Sequence, residues 1–173
     1  LTADSFSGAE PFTVSFTVNV EGATGAVSYE WDFTGTGADT VTTSTGHASF
    51  TYTEPGTYTP TVAVTDGQGN HTTATLPQAI SVALGRIHVV PDPAFTGSAQ
   101  PYSSWSTAAT NIHDAIAVAG NGSRIILRKG DYPIATQVAL TDGVTIESET
   151  GVAEDVVIRR GISTRLCLAV LNH

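Results

Sequence analysis

The sequence predicts an all-β chain in two parts: a β-sandwich over residues 1–83, then short stacked strands with one helix over 84–173. Three observations carry this. Apolar and polar residues alternate with period two in several runs of the first part, the mark of half-buried strands. From Arg86 onward the apolar runs shorten to three to six residues and recur with turns between them, the rhythm of a solenoid. All seven Lys and Arg also lie at or beyond Arg86, so residues 1–85 carry about −8 and residues 86–173 about −1 of the chain's −9.

The first strand is expected over 12–20, where Phe12, Val14, Phe16, Val18 and Val20 share one face and Thr13, Ser15, Thr17 and Asn19 the other. The pattern returns over 27–33, with Val27, Tyr29, Trp31 and Phe33 opposite Ser28, Glu30 and Asp32. It returns again over 57–65, where Tyr58, Val62 and Val64 oppose threonines, and a last strand is expected over 72–83. Turn residues separate the runs at 21–25, 34–37, 54–56 and 66–70. Short strands with turns at this spacing read as a sandwich. Pro60 cannot donate to a ladder and is expected at an edge or bulge.

Two segments make the first part more specific. Tyr29-Glu30-Trp31-Asp32-Phe33, followed by Tyr52-Thr53-Glu54-Pro55-Gly56-Thr57-Tyr58, resembles the signature of polycystic-kidney-disease (PKD) type domains. The resemblance implies an immunoglobulin-like β-sandwich that is typically a non-catalytic module of a large extracellular protein. Thr34-Gly35-Thr36-Gly37 replaces the family's usual Gly-Asp-Gly and removes one carboxylate that could have helped hold a cation.

The junction Val82-Ala83-Leu84-Gly85-Arg86 is short and apolar, which predicts a restricted hinge rather than a free linker. Beyond it, a strand is expected over Arg86–Val90, a polar loop over Pro91–Trp105, and a helix capped by Thr110. Ile112, Ala115, Ile116 and Ala119 fall on one face of that helix, and Gly120-Asn121-Gly122 stops it. Short strands are then expected at 125–127, 138–140, 144–146, 156–158 and 166–171, with turns at Lys129-Gly130-Asp131 and Thr141-Asp142-Gly143.

The order of strand, loop with Ser104-Trp105, helix Asn111–Ile116 and then Ile125–Tyr132 resembles the N-terminal cap and first coils of right-handed parallel β-helices. The similarity is to the pectate-lyase-like superfamily, chondroitinase-B-like lyases included. It implies that Ile112, Ile116 and Ala119 shield one open end of a truncated β-helix. The other end would leave Leu168, Val170 and Leu171 uncovered, so self-association through the open edge at 156–171 is expected.

Composition excludes several roles. A chain at −9 is a poor partner for nucleic acid or anionic membranes, and no apolar run is long enough to span a bilayer. With Cys167 alone there is no intrachain disulfide, and without motif it reads as a small core hydrophobe. A start at Leu1 with no Met anywhere is expected of a piece of a longer, processed protein.

No catalytic set stands out. His47, His71, His88, His113 and His173 have no metal-ligand spacing, and no cofactor is implied. A Ca²⁺ site would require Asp32, Asp39 and Asp66 to converge, whereas Gly-rich turns with an Asp are ordinary turn chemistry. Tyr29 and Trp31 belong to a core face. The candidate carbohydrate contacts are therefore Tyr102 and Trp105, in the polar loop, with Arg128 and Arg159. On stacked rungs these two arginines are expected near each other, where they would engage uronate carboxylates. The simpler account of both is solvated strand-end charge.

The expected function is a non-catalytic accessory fragment, spacer or weak binding module, of a large secreted or cell-surface bacterial protein that acts on or binds polysaccharide. The alternatives are a surface adhesin or structural stalk, with a cell-surface protein as partner, and part of a polysaccharide lyase whose catalytic coils lie beyond residue 173.

Overall fold

The computed structural model describes residues 1–160 and the backbone of 164–167. Contacts divide the chain into two compact units, Leu1–Val82 and Ala83–His173.

The first unit is built from β1 (Thr2–Ala3), β2 (Ser7–Ala9), β3 (Phe12–Thr17), β4 (Ser28–Asp32), β5 (Thr40–Thr43), β6 (His47–Tyr52), β7 (Gly56–Tyr58), β8 (Thr61–Thr65), β9 (His71–Thr75) and β10 (Ile80–Ala83). Its sheets run β1-β3-β6, β2-β10-β7 and β5-β4-β8-β9. Together they form an immunoglobulin-like β-sandwich. The period-two faces meet as expected: Val14, Phe16, Trp31, Phe33, Tyr52, Val62, Val64, Ile80 and Val82 make one core. Trp31 and Phe33 stack with their rings 6° from parallel, and Phe50 lies 4.7 Å from Phe33. The buried Tyr52 hydroxyl donates to the Phe33 carbonyl at 2.9 Å, so the polar end of that ring is satisfied inside the core. The Tyr58 hydroxyl closes the Glu54-Pro55-Gly56 corner by donating to the Glu54 carbonyl.

Two expected strands are each divided between sheets. The run 57–65 is split into β7 and β8, which lie in different sheets. Pro60 is the reason: it has no N–H for a ladder, it is buried, and its carbonyl instead accepts from Leu76 N at 2.9 Å. The run 72–83 likewise splits into β9 and β10, with Leu76 buried at the crossover. The alternation carries through both breaks, because either sheet turns the same face of the chain to the shared core.

The second unit contains β11 (Arg86–Val89), α1 (Ile112–Val118), β12 (Arg124–Leu127), β13 (Gly130–Ile134), β14 (Thr145–Ser148), a 3₁₀ turn at Ala153–Asp155, β15 (Val156–Arg160) and β16 (Thr164–Cys167). Strands β11, β12 and β14 form a parallel sheet in register, Ile87 beside Ile125 beside Ile146. Strands β13 and β15 pair in parallel, Tyr132 beside Ile158. Ile87, Val89, Ile125, Leu127, Tyr132, Val156 and Ile158 share a core with Ile112 and Ala115 of α1. Ile116 and Ala119 pack against it only in part.

Several local expectations change here. Asn111, not Thr110, caps α1: its side chain accepts from Asp114 N at 2.9 Å and donates to the Asp114 carboxylate at 2.7 Å. Asn is among the best N-caps, and the helix starts one residue later than expected. The first strand of this unit ends at Val89. Val138–Leu140 is not a strand, and Leu140 is 46% exposed. Lys129-Gly130-Asp131 is a corner rather than a separate turn, with Gly130 opening β13 at φ +150°; a Cβ there would strike Pro91.

Within the segment 156–171, β15 is paired on both sides, in parallel with β13 on one of them. Strand β16, itself part of the segment expected to form the open edge, pairs with β15 antiparallel, Ile158 opposite Leu166. Residues 168–173, including Leu168, Val170, Leu171 and His173, and the side chains of 164–167, including Cys167, lie outside the described residues.

Candidate functional site

Alternation along β11, β12 and β14 turns Ile87, Val89, Ile125, Leu127 and Ile146 inward. Arg86, His88, Arg124, Ile126, Thr145 and Glu147 then share the opposite face. Register sets them in rows, Arg86–Arg124–Thr145 and His88–Ile126–Glu147. Ile126 keeps only 8% exposure although it lies on this outer row.

The loop after β11 folds back along that strand. His88 N donates to the Tyr102 carbonyl at 2.9 Å, Ala109 N to the His88 carbonyl at 2.8 Å, and Val90 N to the Ala109 carbonyl at 2.9 Å. The Ser104 hydroxyl lies 2.9 Å from both the Ser106 and Thr107 hydroxyls, which fixes the tip of the loop. These bonds bring half-buried Trp105 against the outer row. Its ring meets His88 edge-on at 4.5 Å, and the Arg128 guanidinium carbon sits 4.3 Å from its centroid, a cation–π contact. Arg128 Nε lies 3.6 Å from Glu149 Oε2, both side chains being well exposed.

His88 is held below its ordinary pKa. Partial burial is the main cause, with Arg86 and Arg128 adding to it; the Tyr102 carbonyl and Glu149 pull the other way. At neutral pH the ring is therefore mostly uncharged.

Of the residues singled out from sequence, Trp105 and Arg128 are brought together and the other two are not. Tyr102 is 7% exposed and lies in the unit's core, so its ring cannot serve as a sugar platform. It takes φ +65°, which turns its side chain inward from a polar loop. Arg159 lies on β15, in the sheet that does not contain β12. Its Nη2 is held by both carboxylate oxygens of Asp131 at 2.9 and 3.0 Å. The two arginines are thus not a pair. Sequence reasoning missed His88 and Glu149. The alternation over 86–90 does put His88 on the outer face, but which loop and which strand lie beside it is long-range information.

The acidic turns of the first unit are internally satisfied. The Asp32 carboxylate accepts from the N–H groups of Thr34, Gly35 and Gly37. Asp66 accepts from Thr24, Gln68 and Asn70. Among the described residues no three His, Cys, Asp or Glu side chains are grouped to hold a metal ion, so Asp32, Asp39 and Asp66 are not brought together.

Residues 1–77 match the family model of the PKD domain. The PKD segment thus occupies nearly all of the first compact unit. A solved structure described as a study of the promiscuous specificity of carbohydrate-binding modules from the β-sandwich superfamily is 27% identical, with a TM-score of 0.42. The alignment covers 50% of this chain and 34% of that one, so the chain spans about a third of that structure's length. At that TM-score the likeness adds nothing to the fold. A comparison with curated proteins finds no match.

Proposed function

We propose that the chain is a non-catalytic accessory fragment of a larger secreted or cell-surface protein that binds or acts on polysaccharide. In this reading the PKD segment is a spacer. The second unit is the start of a right-handed parallel β-helix, with α1 as its cap and the outer face of β11-β12-β14 as its glycan contact. In-register parallel strands visited once per turn, in two separate sheets, support the β-helix. The observation that carries the binding role is Trp105, half-buried but held at the surface with a guanidinium on its ring. A flat aromatic fixed in place offers a sugar ring a stacking partner at little entropic cost.

The test is titration of the intact chain with a panel of soluble polysaccharides, by calorimetry and affinity electrophoresis. Retardation by at least one polymer, abolished in Trp105→Ala, is expected. Incubation with pectate, alginate or chondroitin sulfate should yield no unsaturated, ultraviolet-absorbing product, with or without Ca²⁺. Binding to none of the panel would sink the proposal.

One observation favours a stalk or adhesin instead. The face of β5-β4-β8-β9 away from the core carries Thr40, Thr42, Thr65, Thr73 and Thr75, all exposed, with no aromatic among them. Such a face suits lateral spacing better than sugar recognition.

A further inference from the structure

We propose that the free edge of β6 takes an extended, basic segment of a partner protein as an added strand. A Lys or Arg side chain of that segment enters the cavity beside Phe50, Tyr52 and Tyr58. This goes beyond the spacer role given to the PKD segment and stands whether or not the second unit binds sugar.

Register defines the edge. Strand β6 lies last in its sheet, and among the described residues no strand pairs with its other side. Asp4 N donates to the Ser15 carbonyl at 3.1 Å and Ser15 N to Asp4 Oδ1 at 3.0 Å, so the peptide groups of Ser15 face β1. Successive residues of an antiparallel strand turn these groups to opposite sides, and those of Val14 and Phe16 therefore face β6. Their partners there are Phe50 and Ala48. The N–H and C=O groups of exposed Ser49 and Thr51 are thus left directed at the open side. Folds usually protect such an edge with Lys, Pro or a very short strand. His47–Tyr52 runs for six residues and has neither residue.

Side-chain direction gives the chemistry of the partner. Phe50 and Tyr52 turn to the core side of β6, and with half-buried Tyr58 they wall a cavity of about 180 Å³. The rings hold one another in place. Phe50 meets Tyr52 edge-on at 4.9 Å, Tyr52 stacks on Tyr58 at 4.5 Å, and the Tyr58 hydroxyl is tied to the Glu54 carbonyl. Asp39 and Glu54, both exposed, line the same cavity. Neither belongs to a described ion pair, and the unit has no Lys or Arg of its own to offer them. Aromatic faces attract a cation through their quadrupole, and the apolar stem of a long basic side chain packs on the rings while its charged head meets the carboxylates. A residue of an added strand directly opposite Phe50 turns its side chain to the same face as Phe50, which is the cavity side. Main-chain bonds at Ser49 and Thr51 then supply affinity, and the cavity selects the cation.

The experiment titrates the intact ¹⁵N-labelled chain with a short capped peptide of alternating Ser and Thr that carries Lys at its centre. Two further versions carry norleucine or Glu in that place. The Lys peptide should shift the Ser49 and Thr51 amide signals saturably and slow their hydrogen exchange about ten-fold. Norleucine, which keeps an apolar stem without the charge, should bind about five-fold more weakly, and Glu should not bind. Because Lys lies opposite Phe50, its own peptide groups face away from β6 and those of its two neighbours face toward it. N-methylation of both neighbours should therefore abolish binding, and N-methylation of Lys itself should leave it within about two-fold. The double substitution Asp39→Asn and Glu54→Gln should bring the Lys peptide down to the affinity of the norleucine peptide, which it should leave unchanged. If that variant fails to fold, the peptide series decides alone. Equal binding of Lys and norleucine, or a Lys preference that survives the double substitution, overturns the proposal, and so does no binding at all. A free chain that sediments as a dimer with its Ser49 and Thr51 amides already protected also overturns it, since a second copy then fills the edge.

Discussion

A single carboxylate organises the turn that follows Trp31. Burial alone would raise the Asp32 pKa, yet the N–H groups of Gly37, Gly35 and Thr34, with the Thr34 hydroxyl, outweigh it and hold the group below its ordinary value. Asp32→Ala leaves those donors to water and is expected to cost about 2 kcal/mol, the scale of hydrogen bonds to a charged group. Urea denaturation of the intact chain, read through the Trp31 indole signal, checks this. His88 gives a prediction in the same pH sense as a lowered carboxylate, at a higher pH. Its folded pKa lies below the ordinary 6.5, so the unfolded chain takes up the proton first as pH falls. The folded state therefore binds fewer protons in that window, and stability rises with pH there. The contribution is complete above pH 6.5 and is lost progressively below it. Urea midpoints of the second unit, followed through the Trp105 indole, should fall between pH 7 and pH 5. The fall should be shallower in His88→Asn; equal slopes would mean that His88 titrates alike in both states.

Elements were legible from the sequence wherever a local pattern determines them. Phe12–Phe16 and Tyr29–Phe33 bury the faces their alternation selects, because a strand with one wet face leaves no other choice. The division at Pro60 was not legible, since alternation continues through it and nothing local says which sheet receives each half. Val138–Leu140 misled for a related reason. Three apolar residues in a row fit a buried strand, but no strand pairs with them among the described residues and Leu140 is left exposed. The register that joins Trp105 to Arg128 links residues 23 positions apart in sequence through a loop and two strands, beyond any local signal. Helix α1 shows how near a local reading can come. Its apolar face over Ile112 and Ala115 was visible, and its cap was misplaced by one residue. Asn111 now binds two groups of Asp114, so Asn111→Ala should destabilise the second unit by about 1 kcal/mol. Thr110→Ala should cost less than half of that. Urea midpoints for the two variants give the comparison, and a larger effect at Thr110 would contradict the cap assignment.

At the scale of the whole molecule, charge is divided as sharply as structure. Leu1–Val82 holds eight acidic residues and no Lys or Arg, so this unit cannot form a Lys or Arg ion pair within itself. The four described ion pairs, Arg124–Glu147, Arg128–Glu149, Lys129–Asp155 and Arg159–Asp131, all belong to the second unit. The two should therefore answer salt in opposite senses. In the first, carboxylates repel one another, and the Debye length shrinks from ~30 Å at 0.01 M to ~8 Å at 0.15 M, which screens that repulsion. In the second, screening weakens attractions that are exposed and each worth at most ~1 kcal/mol. The core of the first unit, from Val14 to Val82, is complete within residues 1–82, so this segment should fold when made alone. Its melting temperature should rise by about 4 °C between 10 and 150 mM NaCl, the equivalent of roughly 1 kcal/mol in a domain of this size. Neutralising substitutions such as Glu30→Gln and Glu21→Gln should raise the low-salt value and flatten the dependence, because they remove repulsion without touching the core. Scanning calorimetry at the two ionic strengths measures both effects. A melting temperature that ignores salt would mean that the carboxylates lie too far apart to act together, and the acidity of this unit would then bear on its solubility and partners rather than on its stability.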